Sequence, residues 1–338
     1  AGSIDLKVPS PVRRLSIADG FELWVKDDGR ICDVYGGNKP RKLAYLLAEA
    51  RRRDAKRLVT VGALGSHHVL ATGLLGQSLG LPTLAVSLPR PYSRHAEQTT
   101  NRTLAAGVEL VPLATPYELP SVLFRLGRRG DFFVPPGGSN ALGARGYIDA
   151  ARELGQQIES GELPEPDHVV VALGSGGTAA GLLAGLAIHG VKSHLMAVPV
   201  LRLPSARKFV TWMAKTATRQ LVLPSPSDLS SRITIDDRWI GAGYGHSTTA
   251  GELAISTANG LGLKLESTYT GKAFACALAW LRGSQDQGNV PSCPNAPMPT
   301  AGQRILFWST FSSVSFTKSD RATVTLPPYL NRLFRSTK

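Results

Sequence analysis

Leu43, Leu46, Leu47 and Ala50 recur at i, i+3, i+4 and i+7, the stripe of an amphipathic helix. Pro40 suits the first turn of that helix, because its φ is fixed and its missing N–H is not needed there. Upstream, residues 1–40 read as short strands and turns, with 21–26 (Phe-Glu-Leu-Trp-Val-Lys) alternating like an edge strand. Downstream, apolar runs at 58–61, 83–87, 109–111 and 132–134 alternate with helical stretches at 69–79, 96–106 and 121–126. Short apolar strands separated by helices predict a parallel sheet covered on both faces. The rhythm continues with a helix over 146–159, a Gly/Pro-rich linker over 161–166 and strands at 168–172, 194–198, 232–235 and 304–308. Helices are expected near 205–217, 248–259 and 271–283, a surface loop over 284–302, and a basic tail with a short helix over 318–338. The expected fold is therefore α/β, with a small domain at 42–147 and a large one built from 1–41 and 148–338.

Composition narrows the class. A chain of 338 residues suggests two domains or one large α/β unit, and 43% hydrophobic with 19% charged residues describes a globular protein. No apolar run approaches the roughly 18 residues of a membrane span. The chain opens Ala1-Gly2-Ser3 without a methionine, as an expression scar or a cut from a longer chain would leave it. It shows no basic segment followed by an apolar stretch of the secretory kind. Cys32, Cys276 and Cys293 are far apart and form no metal-ligand spacing, so structural thiols in a reducing, cytoplasmic compartment are expected, with no metal. The net charge of +13 invites a nucleic-acid partner. The basic residues are scattered without interleaved aromatics, however, and a solvated basic surface with no nucleic-acid or membrane partner is the expectation.

Two glycine-rich stretches carry the candidate chemistry. In Tyr35-Gly36-Gly37-Asn38-Lys39, paired glycines allow a tight turn and place Lys39 at the mouth of a packed helix. The plain alternative is a helix N-terminus with two solvated lysines. The second stretch, Gly174-Ser175-Gly176-Gly177-Thr178-Ala179-Ala180-Gly181, follows a Val-rich strand and opens a helix, a backbone arrangement that holds phosphate. No Gly-Lys-Ser/Thr follows, so it is not a nucleotide P-loop. A loose G-x-G-x-x-A pattern admits an oxidoreductase, with Arg202 as an NADP-type partner in place of the usual acid. An ordinary strand–helix turn is the third reading.

The run from Tyr35 to Leu43 resembles the pyridoxal-phosphate (PLP)-dependent family of 1-aminocyclopropane-1-carboxylate deaminase and D-cysteine desulfhydrase, in which the lysine after Gly-Gly-Asn carries the cofactor. Gly174–Thr178 resembles its cofactor-phosphate loop, and Gly137-Gly138-Ser139-Asn140-Ala141-Leu142-Gly143 its Gly-Gly-Ser-Asn-Pro-Leu-Gly run. Ser66-His67 stands where the family has Ser-Asn, and Ala242-Gly243-Tyr244-Gly245 and Thr268-Tyr269-Thr270 match its two tyrosine segments. These matches run in the family's order from about residue 30 to 310. The resemblance implies PLP fold type II, the tryptophan synthase β-like architecture, as a homodimer with the cofactor between two domains.

It further implies that Lys39 binds PLP and serves as base at the substrate Cα, and that Gly174, Ser175, Gly176, Gly177 and Thr178 hold the phosphate. Ser66 and His67 would contact the substrate carboxylate and the cofactor hydroxyl, and Tyr244 and Tyr269 would flank the ring and the departing group. From the residues alone, His67 and His68 also read as a helix cap and a solvated neighbour. The deaminase has glutamate directly after its second tyrosine, at the pyridine nitrogen; here that place is Thr270, with Thr310 as a second neutral neighbour, as in the desulfhydrases. The implied reaction is α,β-elimination from a small amino acid such as D-cysteine. The cyclopropane deaminase, an NADP oxidoreductase and a non-catalytic PLP-fold protein are the alternatives. His67 for Asn, and Phe311-Ser312 for Gly-Gly after the threonine, depart from the family pattern.

Overall fold

The computed structural model describes residues 3–17, 22–113, 115–224, 226–282, 303–314 and 326–335. The chain begins with β1 (Val12–Ser16), β2 (Glu22–Asp27) and α1 (Asn38–Arg52). Then come β3 (Arg57–Ala63), α2 (His67–Ser78), β4 (Thr83–Leu88), β5 (Arg90–Pro91), α3 (Arg94–Ala105), β6 (Glu109–Pro112), α4 (Leu119–Leu126) and β7 (Asp131–Val134). The second half contributes α5 (Ala141–Glu159), β8 (His168–Leu173), α6 (Gly177–Ile188), β9 (His194–Pro199), α7 (Ala206–Gln220) and β10 (Ile233–Ile235). It closes with α8 (Thr249–Gly260), α9 (Thr270–Arg282), β11 (Ile305–Ser309), α10 (Pro328–Asn331) and β12 (Phe334–Arg335).

Two sheets organise these elements. One is four-stranded and wholly parallel, in the order β6-β4-β3-β7. The other runs β1-β2-β11-β8-β9-β10 and is parallel except for the β1–β2 pair. Helices on both faces explain why the strands read as continuous apolar runs. In β8, Val169, Val171 and Leu173 enter the core under α5 and α6, while Val170 and Ala172 enter the core under α8 and α9. The mostly parallel α/β fold is thus as expected, and the predicted strands and helices lie within a few residues of their observed positions.

One strand differs in position. β2 is not an edge, since β1 and β11 flank it. Lys26, which made its alternation look solvent-facing, is fully buried and donates to the Ser10 carbonyl (3.0 Å) and Gln157 Oε1 (2.5 Å). Burial lowers its pKa to about 8. Cys32 and Cys276 are buried free thiols. Cys293, the whole 284–302 loop and about half of the basic tail lie outside the described residues. Further on, Leu330 and Leu333 are buried in the same core cluster as Tyr35 and Leu43, and β12 pairs with β5.

Candidate active site

The C-terminal ends of β3 and β8 and the N-termini of α1, α2 and α6 converge on a cavity of ≈ 590 Å³ lined from both sheets. Ligand sites of open parallel sheets lie at such strand ends, where the order of the strands reverses. α1 enters through a turn that requires glycine. Gly37 has φ 75°, and a Cβ on Gly36 would lie 1.7 Å from the Gly29 carbonyl oxygen. The Gly37 N–H donates to the Asp28 carbonyl (2.7 Å) and the Asn38 N–H to the Thr310 carbonyl (3.1 Å). Beyond Lys39, Arg41 is buried and donates to the Asp28 carboxylate (2.9 Å) and to Glu153 (2.7 Å). The same carboxylate accepts from Tyr147 (2.7 Å) and Trp308 Nε1 (2.8 Å). The backbone around Lys39 is therefore held on both sides by Asp28.

Lys39 is half-buried, and its Nζ donates to Asn38 Oδ1 (2.6 Å). Asn38 Nδ2 in turn donates to Thr178 Oγ1 (3.1 Å). Burial lowers the Lys39 pKa to about 8, against the opposing charge of Glu266. Lys42 also lines the cavity but is 2% exposed, and burial with the Lys39 charge pushes its pKa well below the usual lysine value. Neither lysine is solvated as on an ordinary helix surface.

The stretch 174–178 crosses from β8 into α6 beside these groups, with Gly176 left-handed at φ 89°. Ser175 Oγ and Ser139 Oγ are 2.7 Å apart, and the Gly177 N–H donates to Ser139 Oγ (3.1 Å). Gly174, Ser175, Gly176 and Thr178 line the cavity; Gly177 is buried behind them. The first N–H groups of α6 precede any intrahelical acceptor, and with the Ser175 and Thr178 hydroxyls they form a cradle for an anion.

Tyr244 and Tyr269 meet edge to face, with centroids 5.8 Å apart, and Tyr269 packs on Gly174. Lys272 donates to the carbonyls of Ile240 (2.7 Å) and Gly243 (3.1 Å), tying the Tyr244 loop to α9. Burial raises the Tyr269 pKa, with Tyr244 adding to the effect. Thr270 and Thr310 both face the cavity. The Thr270 hydroxyl oxygen accepts from the Glu266 N–H (2.9 Å).

Ser66 caps α2, its hydroxyl accepting from the His68 N–H (3.2 Å). His68 is not a solvated neighbour. It is buried, and because Thr60 Oγ1 gives its hydrogen to the Val134 carbonyl (2.8 Å), His68 Nε2 is the donor to Thr60 (2.9 Å). Both ring nitrogens of His67 are engaged, Nδ1 with the Tyr35 hydroxyl (2.6 Å) and Nε2 with His95 Nε2 (2.8 Å).

Sequence reasoning missed Asn38, Tyr35, His95 and Glu266. Adjacency to Lys39 was the available signal for Asn38. Glu266 had a capping signal: its carboxylate accepts from the N–H groups of Thr268 (2.8 Å), Tyr269 (2.7 Å) and Thr270 (2.9 Å) ahead of α9. It is the one carboxylate among the described residues lining the cavity. Tyr35 and His95 carried no local signal. Arg202, the NADP-type partner, is exposed and does not line the cavity.

An accessible amine of lowered pKa, a glycine-bounded anion cradle and two aromatic walls suit a phosphorylated aldehyde. The profile of pyridoxal-phosphate-dependent enzymes matches residues 6–290, and the chain belongs to that family, with PLP as its cofactor. Within it, the chain is 36% identical over 284 residues to a D-cysteine desulfhydrase of Klebsiella pneumoniae (strain 342), covering 79% of this chain and 84% of the relative. A D-cysteine desulfhydrase of Salmonella paratyphi A is 36% identical over 283 residues, with the same coverage. Among solved structures, an ACC deaminase homologue superposes with a TM-score of 0.74 at 27% identity, over 98% of this chain and 94% of that one. A fungal L-serine ammonia-lyase from Rhizomucor miehei shares the fold, with a TM-score of 0.60 at 17% identity over 91% and 95% of the two chains.

Proposed function

We propose that the protein catalyses α,β-elimination on a small amino acid bearing a β-leaving group, with D-cysteine as the simplest substrate. With water, that substrate gives pyruvate, ammonia and hydrogen sulfide. The observation carrying this reading is the Lys39 amine, linked through Asn38 to Thr178 of the anion cradle, in a cavity whose one lining carboxylate is already committed to backbone N–H groups. Bound PLP supplies an electron sink for charge developing at Cα. Lys39 holds the cofactor, and its amine takes the Cα proton. Ser175, Gly176, Gly177 and Thr178 hold the phosphate, with Gly174 giving Tyr269 room to pack. Ser66 orients the substrate carboxylate, and Tyr244 and Tyr269 flank the ring and the departing group. Thr270 and Thr310 offer neutral hydroxyls where a glutamate would protonate the ring. This weaker sink suffices for elimination of a good leaving group.

The 36% identity to D-cysteine desulfhydrases supports the substrate. The likeness to an ACC deaminase homologue favours a second reading, cyclopropane ring opening, which demands the stronger sink. Purified protein should release sulfide and pyruvate from D-cysteine. Formation of 2-oxobutyrate from 1-aminocyclopropane-1-carboxylate at a comparable rate would overturn the argument from Thr270, and bound cofactor without turnover would favour the non-catalytic alternative.

We also read the chain as a cytoplasmic homodimer with domains at 1–41 plus 148–338 and at 42–147. Buried thiols at Cys32 and Cys276 support the compartment, and a cavity lined from two separate sheets supports the division. Sedimentation of the purified protein tests the dimer.

A further inference from the structure

We propose that Tyr35, His67 and His95 form a proton path between the cavity and solvent, serving the elimination proposed above, on which this inference rests. Tyr35 is buried, His67 is half-buried, and both line the cavity; His95, in the first turn of α3, is exposed. The three side chains are joined by contacts of 2.6 Å and 2.8 Å. Phe311 closes one flank, meeting the His67 ring edge-on at 5.4 Å and the His95 ring at 6.3 Å. Two of the residues that break the family pattern, His67 and Phe311, are thus in contact with each other.

Two imidazole Nε2 atoms at 2.8 Å share a single hydrogen, so the tautomers of His67 and His95 are set together. In the inward order, His95 Nε2–H donates to His67, His67 Nδ1–H donates to Tyr35, and the Tyr35 O–H faces the cavity. Passage of one proton inward gives the outward order, with Tyr35 donating to His67, His67 donating to His95, and His95 Nδ1–H facing solvent. Burial and the nearby cationic groups His95, Lys39, Arg90 and Arg102 push the His67 pKa well down, so the ring hands protons on as a neutral tautomer. The elimination uses both orders. One proton enters through Tyr35 onto the departing substituent as its bond to Cβ breaks. The proton taken from Cα by the Lys39 amine crosses the cavity, which Lys39 and Tyr35 both line, and leaves from Tyr35 by the reverse route. One in and one out restores the starting order, and no charge accumulates in the cavity.

His95 acts only through His67, and it lies outside the cavity lining, so His95→Ala tests the path without altering the residues that line the cavity. Cofactor absorbance should be retained in this variant. At low buffer concentration kcat for sulfide release should fall at least about tenfold, with KM little changed. Added imidazole should restore kcat with saturation, and a solvent deuterium isotope effect on kcat should appear or grow. An unchanged kcat, or a loss that imidazole does not restore, overturns the proposal. A second readout is independent of turnover. Nitrogen NMR of histidine-labelled holoenzyme should show coupling across the shared Nε2–H···Nε2 bond, lost in His95→Ala. Absence of that coupling in the unsubstituted protein overturns the path whatever the substrate. Coupling in a protein that eliminates nothing overturns the elimination reading and keeps the hydrogen-bonded chain.

Discussion

Borohydride reduction of the PLP-loaded protein should fix the cofactor on Lys39 and not on Lys42, although burial lowers the pKa of both amines. For Lys39 the fall from 10.5 to about 8 means that, below both values, the unprotonated fraction exceeds that of an ordinary lysine by about 300-fold. At pH 7.5 about a quarter of the Lys39 amine is free base, enough to attack an aldehyde readily. A lowered pKa does not separate the two lysines; reach does. Lys42 is 2% exposed, with its stem packed beside Gly138. Lys39 is half-buried and joined through Asn38 to Thr178, which places its amine beside the phosphate cradle. The assay is to add PLP to cofactor-free protein across a pH series, quench with borohydride and map the labelled peptide. Label should appear on Lys39, and the rate of capture should rise with pH and level off with a midpoint near the lowered pKa. Label on Lys42, or a midpoint close to that of an ordinary lysine, would refute the reasoning.

The same shift bears on stability. Between pH 8 and 10.5 the unfolded chain binds a proton that the folded Lys39 does not, so stability rises with pH through that window and the burial cost is greatest below it. Lys39→Met should therefore stabilise cofactor-free protein at pH 7 by up to about 3 kcal/mol in urea unfolding, with the gain fading between pH 8 and 10.5; a loss at pH 7 would contradict this. Asp28→Ala should cost about 3–5 kcal/mol in the same measurement, since it leaves the buried Arg41 with Glu153 as its one remaining carboxylate, beside the Ser10 hydroxyl, and strips Tyr147 and Trp308 of their acceptor; a loss under about 1 kcal/mol would show that the network carries little. Thr270→Glu should shift the visible absorbance of the bound cofactor towards that of a protonated ring, and an unchanged spectrum would show that position 270 does not face the ring nitrogen.

Most of the fold was legible in the chain because the decisive signals are local. Apolar runs between helical stretches marked β3, β4, β8 and β9 as buried parallel strands, a consequence of covering both faces of a sheet. Gly36, Gly37 and Pro40 announced the turn that presents Lys39, and Gly174 to Thr178 announced the loop into α6, because backbone geometry there admits few other residues. Tertiary structure decided the rest. The alternation around Lys26 is the same for an edge strand and for a buried strand whose polar partners arrive from Ser10, Gln157 and Glu153. Periodicity reports which face a residue takes, not what lies opposite it. Likewise, Tyr35, His67 and His95 are separated by 32 and 28 residues and meet only because the fold brings the turn before α1 and the first turns of α2 and α3 together. His67 and Phe311 stood out in the sequence as two unrelated departures. Their contact, and the chain of hydrogen bonds beside it, exist only once β11 brings the segment after Thr310 against the N-terminus of α2.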